Sequence, residues 1–331
     1  MRLRKVKPSS LPRLTRKELY SRLQLTPTIN PIVEAAYKEV LRRQWRNKEN
    51  DSPHGRKWHV SFHASQAPGN DPKACPRQAL YRMMDLPDGK PPSRRLRLTA
   101  EAGKTLEVDM VTMLNEAGRL ISAPPDAEVQ TGFVVEEVML TGTVDAAIEI
   151  KGRAVPVEIK TKHESDIAKM RNGQRGPDEK HVKQLKTQLG LVRAAQESGE
   201  LWSDLKLCEY GYIYYMPRDT KYNPSIPIPT AEFYVEYDPD FFETGIEKLK
   251  QWAELWEEEI LPSWNATKRH PLGFMWSKEP CKYCNYKKAC KEDHKQGIDC
   301  LADSTAIEAA KEINPEYDYA EARNRVSERW T

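Results

Sequence analysis

Two periodicities run along the chain. In some segments apolar residues recur every three or four positions, and in others they strictly alternate with polar ones. The helical pattern holds from about Thr99 to Ala117, where Leu106, Met110 and Leu114 share one stripe and Gly118 ends the run. It returns from about Asp178 to Ser198 and again in "DPDFFETGIEKLKQWAELWEEEI". Cys75-Pro76 opens one more helix, "PRQALYRMMDL", with proline in its first turn. Alternation predicts strands in "FVVEEVML", "TVDAAIEI" and "AVPVEIKTK", and later in "YGYIYYM" and "AEFYVEY". A helix, strands, a helix and two more strands in that order predict an α/β core with a mixed central sheet flanked by helices.

The flanks read differently. Residues 1–57 form a basic helical extension, with a capping box at Thr15/Glu18 and a second helix start at Asn30-Pro31. Residues 58–292 are the core, and 293–331 a polar tail with a helix opened by a Thr305/Glu308 capping box.

Composition narrows the class. The 331 residues are 31% charged, yet 39% hydrophobic with eight tryptophans, and mean hydropathy is -0.75. That balance describes a folded, well-solvated protein. The N-terminus is charged with no apolar run behind it, and no stretch approaches the roughly 18 apolar residues of a membrane span, so the reading is cytoplasmic. In a reducing compartment, six cysteines point to metal rather than to disulfides. Net charge is only +3, but residues 1–22 carry eight Lys/Arg against Glu18 alone, which suits a polyanion as well as a solvated tail. Gly103-Lys104-Thr105 is no P-loop, because the glycine required five residues upstream is Leu98.

The densest chemistry lies in "GTVDAAIEIKGRAVPVEIKTK", residues 142–162. With Lys151-Gly152 as a two-residue turn, Ile150 faces Arg153, Ile148 faces Val155, Ala146 faces Val157 and Val144 faces Ile159. The same register sets Asp145 opposite Glu158, with Lys160 on that face. Opposed carboxylates repel unless a cation sits between them, and a hard ion such as Mg²⁺ or Mn²⁺ suits oxygen donors. Lys160 could then orient water or stabilise phosphoryl charge. The plainer reading is a solvent-facing charge cluster.

Three cysteines stand at C-x2-C-x5-C spacing in "CKYCNYKKAC": Cys281, Cys284 and Cys290. Candidates for a fourth ligand are Cys75, Cys208, Cys300 and His294. Cys284-x5-Cys290-x3-His294 has the form of a local zinc site, Cys208 lies in a strand pattern and reads as a core thiol, and Cys300 sits in the polar tail. Four cysteines would favour a [4Fe-4S] cluster, and a histidine would favour zinc. Lys282, Lys287 and Lys288 interleave with Tyr283 and Tyr286, a mixture suited to phosphate charge and base stacking, or simply to a lysine-rich surface.

Taken in order, these residues resemble the PD-(D/E)XK nucleases, specifically the RecB-like iron–sulfur branch that includes CRISPR-associated and phage-encoded exonucleases. Asp145 with Glu158-Ile159-Lys160 matches the D-xn-E-x-K signature. Gly103 to Glu107 matches a Gly-x2-φ-His/Glu helix before it, and Gln184 in "HVKQLKTQL" matches a Gln-x3-Tyr helix after it. A lone Cys75 before the core and C-x2-C-x5-C behind it complete the likeness, over roughly residues 58–292. The resemblance implies catalytic roles for Asp145, Glu158, Lys160 and Gln184. It implies Mg²⁺ or Mn²⁺ on Glu107, Asp145, Glu158 and the Ile159 carbonyl, and a [4Fe-4S] cluster on Cys75, Cys281, Cys284 and Cys290 that clasps the two ends of the core. The implied substrate is single-stranded DNA, degraded 5'→3' in recombination, end processing or CRISPR spacer handling, with recombination or CRISPR adaptation proteins as partners. Two positions depart from the pattern: Glu107 stands where many members have His, and Gln188 where the helix motif ends in Tyr. The rival expectation is a non-catalytic, zinc-containing nucleic-acid-binding protein.

Overall fold

The alternating segments build two sheets rather than one. The computed structural model describes residues 62–63, 75–84, 94–121, 131–219, 229–262, 284, 286–313 and 315–330. The smaller sheet has the order β1-β3-β2, from β1 (Phe62–His63), β2 (Thr131–Val135) and β3 (Leu140–Val144). The larger has the order β4-β5-β6-β7, from β4 (Ala146–Ile150), β5 (Arg153–Lys162), β6 (Tyr210–Pro217) and β7 (Ala231–Glu236). Strands β5 and β6 are parallel while β4 and β7 pair antiparallel at the two sides, so the larger sheet is mixed.

Two of the expected strands are each cut in two. In "FVVEEVML", β2 ends at Val135, a 3₁₀ turn spans Glu136–Val138, and Met139 at φ 50° starts the chain into β3. In "TVDAAIEI" the interruption falls on Asp145 itself. The hairpin register is otherwise as expected, with Ala146 opposite Val157, Ile148 opposite Val155 and Ile150 opposite Arg153. Lys151 and Gly152 have φ of 56° and 75°, the left-handed pair that a tight hairpin turn demands. Val144 does not face Ile159 as the extended register required. It pairs instead with Thr131 in the smaller sheet.

Helices cover both faces of the larger sheet. They are α1 (Pro76–Met83), α2 (Arg94–Glu116), α3 (Glu164–Arg171), α4 (Glu179–Glu197), α5 (Pro239–Glu257), α6 (Lys287–Gln296), α7 (Thr305–Ile313) and α8 (Tyr319–Trp330). Helix α2 buries Val111 against Ala146, Val157 and Ile159. Leu185 and Leu189 of α4 pack on the other face, in the main core. At Gly211 on β6 the approach is tight: a Cβ there would lie 2.7 Å from the Pro156 carbonyl oxygen and 3.2 and 3.3 Å from Leu185 and Leu189. Among the described residues, no helix is long and apolar enough to cross a membrane.

The C-terminal segment, polar by composition, sends its apolar residues inward. Leu301, Ala310, Tyr317, Ala322 and Val326 belong to the main core cluster, and Tyr317 donates from its hydroxyl to the Met84 carbonyl at 2.6 Å. All described residues lie in one compact unit, Glu49–Thr331. The proposed extension over residues 1–57, with Thr15/Glu18 and Asn30-Pro31, lies outside the described residues. The expected Thr305/Glu308 cap takes another form: Ser304 accepts from the Ala306 N–H, and the Thr305 hydroxyl donates to Asp293.

Asp293 ties three helices together. Fully buried, it accepts from the Tyr81 hydroxyl at 2.6 Å, the Ser304 hydroxyl at 2.7 Å, and the Thr305 N–H and hydroxyl at 2.7 and 2.5 Å. The Tyr81 phenol is pushed well above its ordinary pKa by burial and the nearby Cys290 and Asp293, so it stays a donor. Asp293→Ala strands buried donors and is expected to cost about 3 kcal/mol, read as a lower denaturation midpoint at unchanged slope.

Candidate active site

Asp145 occupies the break between β3 and β4, with 6% of its surface exposed. Its backbone makes no rung to β5 there, and its side chain substitutes: Oδ2 accepts from the Ile159 N–H at 2.8 Å. That bond brings the carboxylate alongside β5, where Glu158 is completely buried. Lys160, two residues along the same strand, reaches both. Its ammonium lies 3.7 Å from Asp145 Oδ2 and forms an ion pair with Glu158 Oε1.

Burial and the charge of Asp145 both raise the Glu158 pKa, because each disfavours a second buried anion. Burial acts in the opposite sense on Lys160, but Asp145, Glu158 and also Glu107 overcome it and hold the ammonium above the ordinary lysine value. Glu107 enters from α2, half-buried. The helix comes so near β5 at Gly103 that a Cβ there would lie 3.0 Å from the Thr161 hydroxyl, and Glu107 follows one turn later.

Helix α4 supplies the back wall. Its contact with Glu158 comes from Gln188, whose amide nitrogen donates to Glu158 Oε2 at 2.7 Å and to the Thr143 carbonyl at 2.6 Å. Gln184, one turn earlier, is half-buried on the same helix. His181, near the helix start, is buried with Nδ1 2.8 Å from the Tyr215 hydroxyl, which also accepts from the Asp178 N–H at 3.0 Å. Burial, with the charges of Lys160 and Lys180, lowers the His181 pKa to about 3, so the ring is neutral. At the rim, Asp178 pairs with Lys162 and with Arg175 at 2.8 Å.

Among the described residues, no group of three or more His, Cys, Asp or Glu side chains is drawn together closely enough to hold a metal ion. Among the described side chains, Lys160 is the cation that contacts both Asp145 and Glu158. Two neighbouring carboxylates, one fully buried, share one ammonium, and an oxygen donor set of Asp145, Glu158, Glu107 and the Ile159 carbonyl has the chemistry of a hard divalent-ion site.

The cysteine region is described in part. Cys75 is the residue before α1, Cys284 is half-buried against the core, and Cys290 is buried. Arg77, also buried, donates to the Pro262 carbonyl at 2.7 Å and approaches Cys290 Sγ at 3.6 Å, so α1 meets α6 beside this thiol. Cys281, Lys282 and Tyr283 lie outside the described residues. Lys288 is exposed and Lys287 half-buried, but Tyr286 is a correction to the base-stacking expectation: its ring is buried 5.5 Å from that of Tyr81. His294 is exposed on the helix whose Cys290 points inward. Cys208 is a core thiol, pushed up to about 12 by burial.

The sequence profile of the PD-(D/E)XK nuclease superfamily matches residues 17–291. The chain belongs to this superfamily. Among solved structures it is similar to an alkaline exonuclease, LHK-Exo, from Laribacter hongkongensis, at 14% identity and a TM-score of 0.36, over 65% of this chain and 93% of that one. LHK-Exo in complex with dAMP gives 16% identity and 0.34, over 60% and 90%. No curated protein matches. Sequence reasoning placed Asp145, Glu158, Lys160 and Glu107 near one another and missed the contact of Gln188. The sequence does place His181, Gln184 and Gln188 on one helix face, a pattern that reads equally well as a solvated surface.

Because the Glu158 pKa is raised, its charge costs stability once pH exceeds the ordinary carboxylate range, and costs nothing below it. Glu158→Gln is therefore expected to raise the metal-free melting temperature at pH 8 by a few degrees, on the order of 1 kcal/mol. The gain should vanish in acid, as calorimetry across pH would show.

Proposed function

We propose that this nuclease-superfamily protein is a Mg²⁺- or Mn²⁺-dependent exonuclease of the RecB-like iron–sulfur type, hydrolysing phosphodiester bonds of single-stranded DNA. The observation that carries the reading is the convergence of Asp145, Glu158 and Lys160 at a strand break, with Glu107 close enough to act on the same ammonium. Asp145, Glu158, Glu107 and the Ile159 carbonyl would hold the ion. The chemistry that such an ion would supply is a lowered pKa for water and compensation of charge on a phosphoryl oxygen.

The chain's own residues do the rest. Asp145, fixed by the Ile159 N–H, and Glu158 keep their carboxylates on one side of the scissile group. Lys160, held protonated, donates to the attacking water or to a non-bridging oxygen as charge develops there. Neutral His181 adds no charge of its own beside Lys160. The exonuclease mode and single-strand preference rest on the motif order of the RecB-like branch. For the cluster, the support is the meeting of α1 and α6 around Arg77 and Cys290, which brings the helix that follows Cys75 beside Cys290.

Asp145→Ala and Glu158→Ala should each abolish digestion of end-labelled single strands in Mg²⁺ while leaving the fold intact, and the double variant should lose little more, since residues acting as a unit are not additive. Lys160→Ala should lose about 100-fold or more yet still bind metal. Digestion at the wild-type rate by Asp145→Ala rejects the assignment. Anaerobically purified protein should contain iron and acid-labile sulfide, both lost in Cys75→Ala. One zinc per chain, retained in Cys75→Ala and lost in His294→Ala, would favour the zinc-binding alternative.

A further inference from the structure

Gln188 is almost completely buried, at 1% exposure, in a position where a leucine would fill the same space without the cost of desolvating an amide. Both of its described hydrogen bonds leave from one atom: Nε2 donates to the Glu158 carboxylate and to the Thr143 carbonyl. The orientation is dictated by its partners. A flipped amide would set its oxygen against two acceptors, a carbonyl and a carboxylate oxygen. The correct orientation leaves Oε1 buried without a hydrogen-bond partner among the described residues. A buried amide that leaves its own acceptor unsatisfied in order to donate twice is placed for the acceptors, not for packing.

One of those acceptors lies on the strand that leads into Asp145, and the other is Glu158 itself. Thr143 is two residues before Asp145 on β3, and Glu158 is on β5. The strands separate at this point, since Val144 has left β5 for the smaller sheet. One nitrogen on α4 thus bridges the gap that the ladder leaves open. It also holds Glu158 by Oε2, so that Oε1 faces Lys160.

We infer that Gln188 is a positioning residue for divalent-ion binding: it sets the separation and orientation of the Asp145 and Glu158 carboxylates by tying their strands to α4. The inference rests on the nuclease reading above and adds to it a residue that never touches the ion. Partners of this kind typically govern 10- to 100-fold in metal affinity.

The test compares two buried glutamines of the same helix in the intact chain. Gln196 also donates to backbone carbonyls, of Trp202 and Lys206 at 3.2 Å each, and accepts from the Cys208 N–H at 2.7 Å, but it contacts none of the carboxylates. Gln188→Met keeps the length of the side chain and removes its donors. It is expected to weaken Mn²⁺ binding, followed by electron paramagnetic resonance, by about 10-fold, and to raise the Mg²⁺ concentration for half-maximal cleavage by a similar factor with KM for single-stranded DNA unchanged. Gln196→Met should lower the melting temperature yet bind Mn²⁺ as wild type does. Wild-type Mn²⁺ affinity in Gln188→Met, or equal weakening in both variants, overturns the inference while leaving the nuclease reading standing. A wild-type protein that neither binds Mn²⁺ nor cleaves DNA overturns both.

Discussion

A strand that changes sheets between Val144 and Ala146 frees one carboxylate from the ladder, and the candidate site is built around that event. Had the strand continued alongside β5, Val144 would have paired with Ile159 and Asp145 would have been one more side chain on a flat hairpin. The departure removes a backbone acceptor from the Ile159 N–H, and Asp145 Oδ2 takes its place. A buried amide must be satisfied. The same bond that repairs the sheet therefore aims the carboxylate at Glu158 and Lys160.

The electrostatic consequences follow from burial. A fully buried glutamate beside a second carboxylate is unfavourable by itself, and a single lysine is the counter-charge available among the described side chains in contact with both. At 3.7 Å, a charge pair is worth roughly 4 kcal/mol at an effective dielectric constant of 20. That is of the order needed to hold one buried anion, not two. The protein tolerates the imbalance with donors that carry no charge, the Ile159 N–H and the Gln188 amide. Two acidic groups held this close on so few donors are what is expected where function rather than stability determined the residues.

The far end of the molecule shows how a polar segment can still be core. Asp293 gathers Tyr81, Ser304 and Thr305, while Arg77 spends its guanidinium on carbonyls and on Cys290. With every partner present such a network rigidifies the joint between α1, α6 and α7. Helix α1 is thereby tied to α6 and α7, which follow it by more than two hundred residues.

The sequence by itself determined the elements and the hairpin, because both are local. Helical stripes, alternation and a Lys151-Gly152 turn depend on neighbours a few residues apart, and the pairing of Ala146 with Val157 follows from the turn. The turn and the alternation likewise bring Asp145, Glu158 and Lys160 to one place. What the tertiary structure decided was non-local. Only the competing pairing with β2 could take Val144 away from Ile159. Only the packing depth of α4 could select Gln188 as the contact with Glu158, since two glutamines one turn apart present the same face in sequence. Tyr286, which read as a surface aromatic among lysines, was turned inward by Tyr81, a residue of a helix far away in the chain. In each case the energy that decided came from burial against a distant element, which no local pattern records.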